Sequence, residues 1–153
     1  AWTSCGFEKV GKVIKACKNM EKNSVGFIGV HVGAGNHSEA RRSDYEKVCK
    51  QACEKAIEVL QQRKTALEAL VVAIKILEDC PLTNAGVGSN LNFDGNVECD
   101  ASIMDGQTNH FGAVAALQGI KNPIVVAKKL VEEQNIVYPS GRVPPMYVVF
   151  SVL

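Results

Sequence analysis

The spacing of apolar residues changes period several times along the chain, and each change marks an element. Over residues 1–24, Phe7, Val10, Ile14 and Cys17 recur at helical spacing among lysines, but Gly6 and Gly11 weaken a helix there, so this stretch reads as a frayed basic extension. Residues 25–32, VGFIGVHV, are almost continuously apolar and β-branched, then break at Gly33-Ala34-Gly35; this predicts a buried strand ending in a tight turn. The period then becomes helical. Ser43 with Glu46 forms a capping-box pattern, and Tyr45, Val48, Cys49, Ala52, Ala56, Val59 and Leu60 define one apolar stripe. Thr65 with Glu68 opens a second helix in the same way, with Ala66, Ala69, Leu70, Ala73, Ile74 and Leu77 inward and a stop before Pro81.

Beyond Thr83 the period shortens to two. Leu91 and Phe93 precede Asp94-Gly95, and Val97, Cys99, Ala101 and Ile103 alternate with Glu98, Asp100, Ser102 and Met104, which predicts a hairpin with a type I′-like turn. Asp105-Gly106 opens another turn, and FGAVAAL at 111–117 reads as a further buried strand. Asn122-Pro123 reads as an N-cap followed by proline in the first helical position, starting a helix to about Gln134 with Val125, Val126, Leu130 and Val131 inward. The last stretch has three prolines and then an apolar run. The resulting class is α+β: a mainly antiparallel sheet with helices on one face, whose other face calls for a partner.

Composition narrows the function. Of 153 residues, 46% are hydrophobic and 22% charged, the proportions of a globular domain. The net charge of +1 offers no strong field for nucleic acid or an anionic membrane. The first 64 residues sum to +5 and the rest to −4, a split that solvated helix faces explain. No apolar run approaches the ~20 residues of a membrane span. The first residues lack the apolar stretch and cleavage site of a secretory leader and carry no arginine, so a cytoplasmic or nuclear location is expected. Six cysteines form no CxxC and no histidine stands at metal-ligand spacing, so reduced thiols are expected and neither a metal nor a cofactor. Cys49 and Cys53, four apart, read as small buried hydrophobes.

The candidate chemistry is sparse. Gly33 and Gly35 follow a strand but lack the third glycine and the GK[ST] ending of a phosphate loop. His31, inside an apolar strand, reads as a core histidine, whereas His37 and His110 fall in polar turns. Asp94 and Asp105 are accounted for by their turns, and Asp79 and Glu98 by solvated faces, leaving Asp100 without a structural explanation. The distinctive feature is the glycine-punctuated polar string NAGVGSN at 84–90, between a helix and a hairpin, with DASIMDG close behind at 100–106.

Five segments in order, VHVGAG at 30–35, LEDCPLTNAGVGSNLNFDG at 77–95, ECDASIMDG at 98–106, FGAVAAL at 111–117 and IKNPIVVAKKL at 120–130, resemble the glycosylasparaginase and plant-type asparaginase superfamily of N-terminal nucleophile hydrolases. Within it, YEKVCKQACEKAIE at 45–58 and SGRVPP at 140–145 are similar to the threonine aspartase branch. The resemblance covers residues 25–147; residues 1–24 do not share it, and residues 148–153 read as a truncated tail. It implies half of an αββα sandwich and an endopeptidase that cuts protein substrates after aspartate and matures by self-cleavage, exposing an N-terminal threonine. Such a threonine can use its own α-amine, with a free pKa near ~7.7, as base for its hydroxyl. None of Thr3, Thr65, Thr83 and Thr108 begins a Thr-Val-Gly segment, so the resemblance assigns this chain no catalytic residue. It implies instead the first (α) subunit, which partners the missing β-subunit of the same proenzyme, in a dimer of αβ units. In that carry-over Gly33 and Gly35 match the glycine loop beside the self-cleavage site, and Asn84 the site-facing asparagine. Two other readings stand: a fragment of an asparaginase or isoaspartyl peptidase, and a noncatalytic protein that pairs with the full-length enzyme through the helix at 45–60.

Overall fold

The computed structural model describes residues 13–18, 26–32, 38–137 and 146–149. The element order is β1 (Val13–Lys18), β2 (Phe27–Val32), α1 (Arg42–Gln61), α2 (Ala66–Glu78), β3 (Cys99–Met104), β4 (Phe111–Leu117), α3 (Pro123–Val137) and β5 (Met146–Val149). The strands form two sheets rather than one: an antiparallel β1–β2 pair, and a three-stranded sheet in the order β3-β4-β5. β4 is antiparallel to β3 and parallel to β5, the crossover between them being α3. Residues 13–18, part of the stretch expected to be a frayed basic extension, are instead a strand paired in register with β2, Val13 opposite Val32 and Lys18 opposite Phe27. Helical spacing in a short apolar set does not exclude a strand when glycines interrupt it.

The helices pack on the inner faces of both sheets. β2 alternates, with Ile28, Val30 and Val32 buried and Phe27, Gly29 and His31 exposed, so His31 is not a core histidine. α1 buries Tyr45, Val48, Cys49, Ala52, Cys53, Ala56, Ile57 and Leu60 against β2 and α2. That stripe is spent inside the chain's own core, which removes it as the surface through which a second protein could pair. α1 also starts earlier than the Ser43 capping pattern predicts. A single 3₁₀ turn at Glu39–Arg41, whose N-cap Ser38 accepts from Ala40 N–H at 3.2 Å, feeds directly into it. The opposite side carries Arg42–Glu46, Lys50–Glu54 and Lys55–Glu58 pairs, the solvated charge expected of the basic half.

α2 opens with the capping box foreseen at Thr65: Glu68 N–H donates to Thr65 Oγ1 at 3.2 Å, and Thr65 N–H to Glu68 Oε2 at 2.9 Å. Ala69, Ala73 and Leu77 join the cluster with α1, while Val71 faces a second cluster with Ile103 of β3 and Ile124, Ala127 and Val131 of α3. α3 buries Ile124, Ala127, Val131 and Gln134; of the expected inward set Val131 is buried, Val126 and Leu130 are half-buried, and Val125 is 44% exposed. The hairpin after Phe93 is shorter than expected. Only Leu91 and Val97 bridge, and β3 pairs with β4 instead. Its turn is not type I′, because positive φ occurs at Gly95 but not at Asp94; Asn92 Oδ1 holds it by accepting from Asp94 and Asn96 N–H.

Gln134 is 1% exposed, and its amide clasps the start of β4 at Phe111. Phe111 N–H donates to Oε1 at 3.2 Å and Nε2 donates to the Phe111 carbonyl at 2.7 Å. Replacing this side chain with one of like volume and no polar atoms orphans both backbone groups. We expect Gln134→Leu to cost about 2 kcal/mol or more in chemical denaturation at an unchanged m-value. An unaltered midpoint would mean that these two bonds contribute nothing net.

Candidate functional site

The loop between α2 and β3 is built on the carboxyl end of α2. Asp79 N–H closes the last turn onto Lys75 O at 2.9 Å, and Thr83 Oγ1 donates to the carbonyls of Leu77 and Cys80, which also accept from the Cys80 and Thr83 N–H groups. The chain then turns back over the helix end. Residues Gly86–Gly88 form a 3₁₀ turn, closed by Gly88 N–H to Ala85 O and Ser89 N–H to Gly86 O. Across this turn Asn84 Oδ1 accepts from Asn90 N–H at 2.8 Å. Gly86 has φ of +53°, and a Cβ there would collide with the Glu78 carbonyl and lie 2.9 Å from Glu78 Cβ. A Cβ on Gly88 would collide with the Thr83 carbonyl. Both glycines of the string are thus required by close approach, Gly86 to the last residue of α2 and Gly88 to the backbone of the loop that follows it. Ser89 Oγ, 3.4 Å from Cys99 Sγ, ties the loop to the first residue of β3.

Beneath the loop lies a residue that sequence reasoning missed. Glu78 is 3% exposed, and its Oε1 accepts from Ile124 N–H at 3.0 Å, an amide in the first turn of α3. A carboxylate of the preceding helix thus satisfies one of the orphan donors at an N-terminus where its charge is favoured. Its neighbour Asp79 accepts from Asn122 Nδ2 at 3.1 Å and from Lys121 Nζ at 3.2 Å, so two adjacent carboxylates receive the chain as it enters α3. The Asn122 amide is directed at Asp79, and Glu78 performs the capping that the Asn122-Pro123 pattern suggested. The signal was present: Glu78 is seven residues beyond Val71 and on the same side of α2.

Burial raises the Glu78 carboxyl above the ordinary range. The Ile124 and Asn122 hydrogen bonds and Lys75 oppose that rise, while Asp79 adds to it. Asp79 moves the other way, held down first by the Asn122 bond and then by Lys121. A carboxyl whose folded pKa is raised contributes stability that is complete below its unfolded pKa and is lost as pH climbs through the folded value. Glu78→Gln abolishes that titration. The melting temperature of the variant minus that of the parent should therefore become more positive as pH rises above the ordinary carboxylate range, in thermal scans taken at several pH values. A difference that is flat with pH would contradict burial of the charge.

The other candidates resolve into local structure. Asp100 Oδ1 accepts from Ala116 N–H at 2.8 Å, supporting a residue at φ of +53° beside the register shift between β3 and β4. Asp105 Oδ1 accepts from Gln107 N–H and its Oδ2 from Thr108 Oγ1, and Glu98 accepts from Gln118. His110 is 2% exposed instead of lying in a polar turn. Gly33, Gly35, His37 and Thr3 lie outside the described residues, so Asn84 alone of the three site-lining candidates is placed; it is exposed. Thr65, Thr83 and Thr108 are each committed to a cap or turn. Among the described residues no group of three or more His, Cys, Asp or Glu could hold a metal ion, and no helix is long and apolar enough to cross a membrane.

This frame, a helix-packed α+β half with a glycine-rich loop over a helix end, can be set beside known proteins. The asparaginase family model matches residues 24–142, and the chain belongs to that family of hydrolases. It is 46% identical over 117 residues to a plant-type L-asparaginase of Pyrococcus abyssi, covering 75% of this chain and 38% of that protein. Against an isoaspartyl peptidase/L-asparaginase of Xenopus laevis it is 43% identical over 108 residues, 71% of this chain and 35% of the relative. With the Rattus norvegicus protein of the same description it shares 34% over 140 residues, 92% of this chain and 41% of the relative. The chain spans about two fifths of the length of these relatives.

Proposed function

We propose that this chain supplies the first half of a hydrolase of asparaginase or isoaspartyl peptidase type, acting on the side-chain amide of asparagine or on β-aspartyl peptide bonds together with a second half that carries an N-terminal threonine. The observation that carries the reading is that each threonine among the described residues is committed to a local cap or turn in a chain of this family. The sheets support it. On β2, Phe27, Gly29 and His31 are exposed opposite the helices, and on β3, Asp100, Ser102 and Met104 are, with Phe27 63% and Met104 52% accessible. A second sheet layer would cover those faces, and two such units could form a dimer.

A narrower reading, cleavage of proteins after aspartate, is favoured by SGRVPP at 140–145 and YEKVCKQACEKAIE at 45–58. The asparaginase relatives weigh toward the broader one. Substrate choice separates them. The chain combined with its second half should release ammonia from L-asparagine or aspartate from a β-aspartyl dipeptide; cutting only a peptide with an internal aspartate would favour the narrower activity. The 153-residue chain alone should turn over none of the three substrates. Turnover by this chain that is lost on mutating one of its threonines would refute the assignment.

Asn84 is proposed to line the site of that assembled enzyme. Its Oδ1 already holds Asn90 N–H, so its Nδ2 is the group available to polarise a substrate carbonyl or to orient the threonine hydroxyl. Losing one preorganised donor costs about 3 kcal/mol of barrier, a hundredfold or more. Asn84→Ala should slow self-cleavage or turnover by that factor. If Asn84 only staples the turn, the variant will melt about 1 kcal/mol less stable with the rate of the folded enzyme unchanged.

A further inference from the structure

We propose that Glu78 is a positioning residue for the Asn84 loop: its carboxylate, fixed on the Ile124 amide, sets where Gly86 and hence Asn84 rest. The inference deepens the function proposed above, because it is Asn84's place in the site that gives the loop its importance. The geometry is that of one residue held from two sides. The carboxylate is anchored to the first turn of α3 through Ile124 N–H at 3.0 Å, while the backbone and Cβ of the same residue form the floor on which Gly86 lies with no room for a methyl group. Gly86 opens the turn that Asn84 spans by its 2.8 Å bond to Asn90. A shift of the Glu78 side chain therefore has two outlets, the N-terminus of α3 and the floor of the turn. Burial at 3% exposure leaves it little space to relax elsewhere. Asp79 steadies the same junction from outside through Asn122 and Lys121, whereas the closest contacts beneath Gly86 are all with Glu78. Errors of about 1 Å at a site can cost about a hundredfold in rate, so a floor of this kind matters to turnover as well as to stability.

Two substitutions separate positioning from bulk stability. Glu78→Asp keeps the charge and the Cβ beneath Gly86 but withdraws the carboxylate by one methylene from Ile124; Glu78→Gln keeps both the reach and an acceptor oxygen. In the 153-residue chain, amide hydrogen exchange at Ser89, Asn90 and Ile124 should quicken about tenfold in Glu78→Asp while the centre of α1 at Ala52 and Cys53 changes less than about twofold, and Glu78→Gln should restore the slow rates. In the assembled enzyme the aspartate variant should lose roughly tenfold in kcat with KM nearly unchanged, and the glutamine variant should recover it. Exchange that rises equally in α1, or that rises at Ile124 alone while Asn90 keeps its protection, would overturn the proposal. An assembled parent enzyme that hydrolyses none of the substrates would instead defeat the proposed function, and the exchange rates would still decide whether Glu78 governs the loop.

Discussion

Helix α2 buries Ala69, Ala73 and Leu77 against α1 and Val71 against α3 and β3, so the two apolar clusters of the described chain share one helix. Neither cluster closes without it. Burying an aliphatic side chain of this size is worth about 1.5–3 kcal/mol, and α2 contributes several in two directions at once. That double use explains why the helix is apolar almost all round, a pattern otherwise suited to a fully enclosed core helix. It also explains where the candidate loop sits. The loop is built on the carboxyl end of α2, where Thr83 and Gly86 fold back onto the last turn.

Much of this was legible from residue patterns, and the failures have physical causes. The capping box at Thr65 and Glu68 was readable because both halves of it are local. The Ser43 pattern misled because a 3₁₀ turn capped by Ser38 precedes it, and once a turn is formed the helix needs no second start. In α3 Val131 is inward as its spacing predicts, but Ile124 and Ala127 are buried where Val125 was expected, since these residues are all apolar and only the packing partners on β3 and α2 choose between them. The partner of β3 was misassigned for a related reason: a turn signal at Asp94-Gly95 says where the chain reverses, not how far the ladder extends.

The candidate site was legible in a different way. The string at 84–90 stood out as polar and glycine-rich, and the structure supplies the reason, since Gly86 lies against the Glu78 carbonyl at the end of α2 and Gly88 against the Thr83 carbonyl in the loop itself. Less legible was the burial of three polar residues, Glu78, His110 and Gln134. Charged and amide side chains are assumed to face water unless a partner is known, and the partners of Glu78 and Gln134 lie 46 and 23 residues away. Helical spacing with Val71 and Val131 carried the hint for Glu78 and Gln134. The same long-range bonds connect α2, α3 and β4, so the polar part of the interior links elements that the two apolar clusters only bring near one another.

Gln134 has one more effect on the architecture. Its amide occupies both the N–H and the carbonyl of Phe111, and the pairing of β4 with β5 begins at the next residue, Gly112 opposite Met146. A side chain from the crossover helix thus acts as a built-in end stop for the ladder on which its own crossover lands. A strand arriving beside β4 cannot slide one residue toward the Phe111 end without displacing two good hydrogen bonds. The alignment of the last strand is consequently recorded in a helix that folds from neighbouring residues, before any distant pairing has formed.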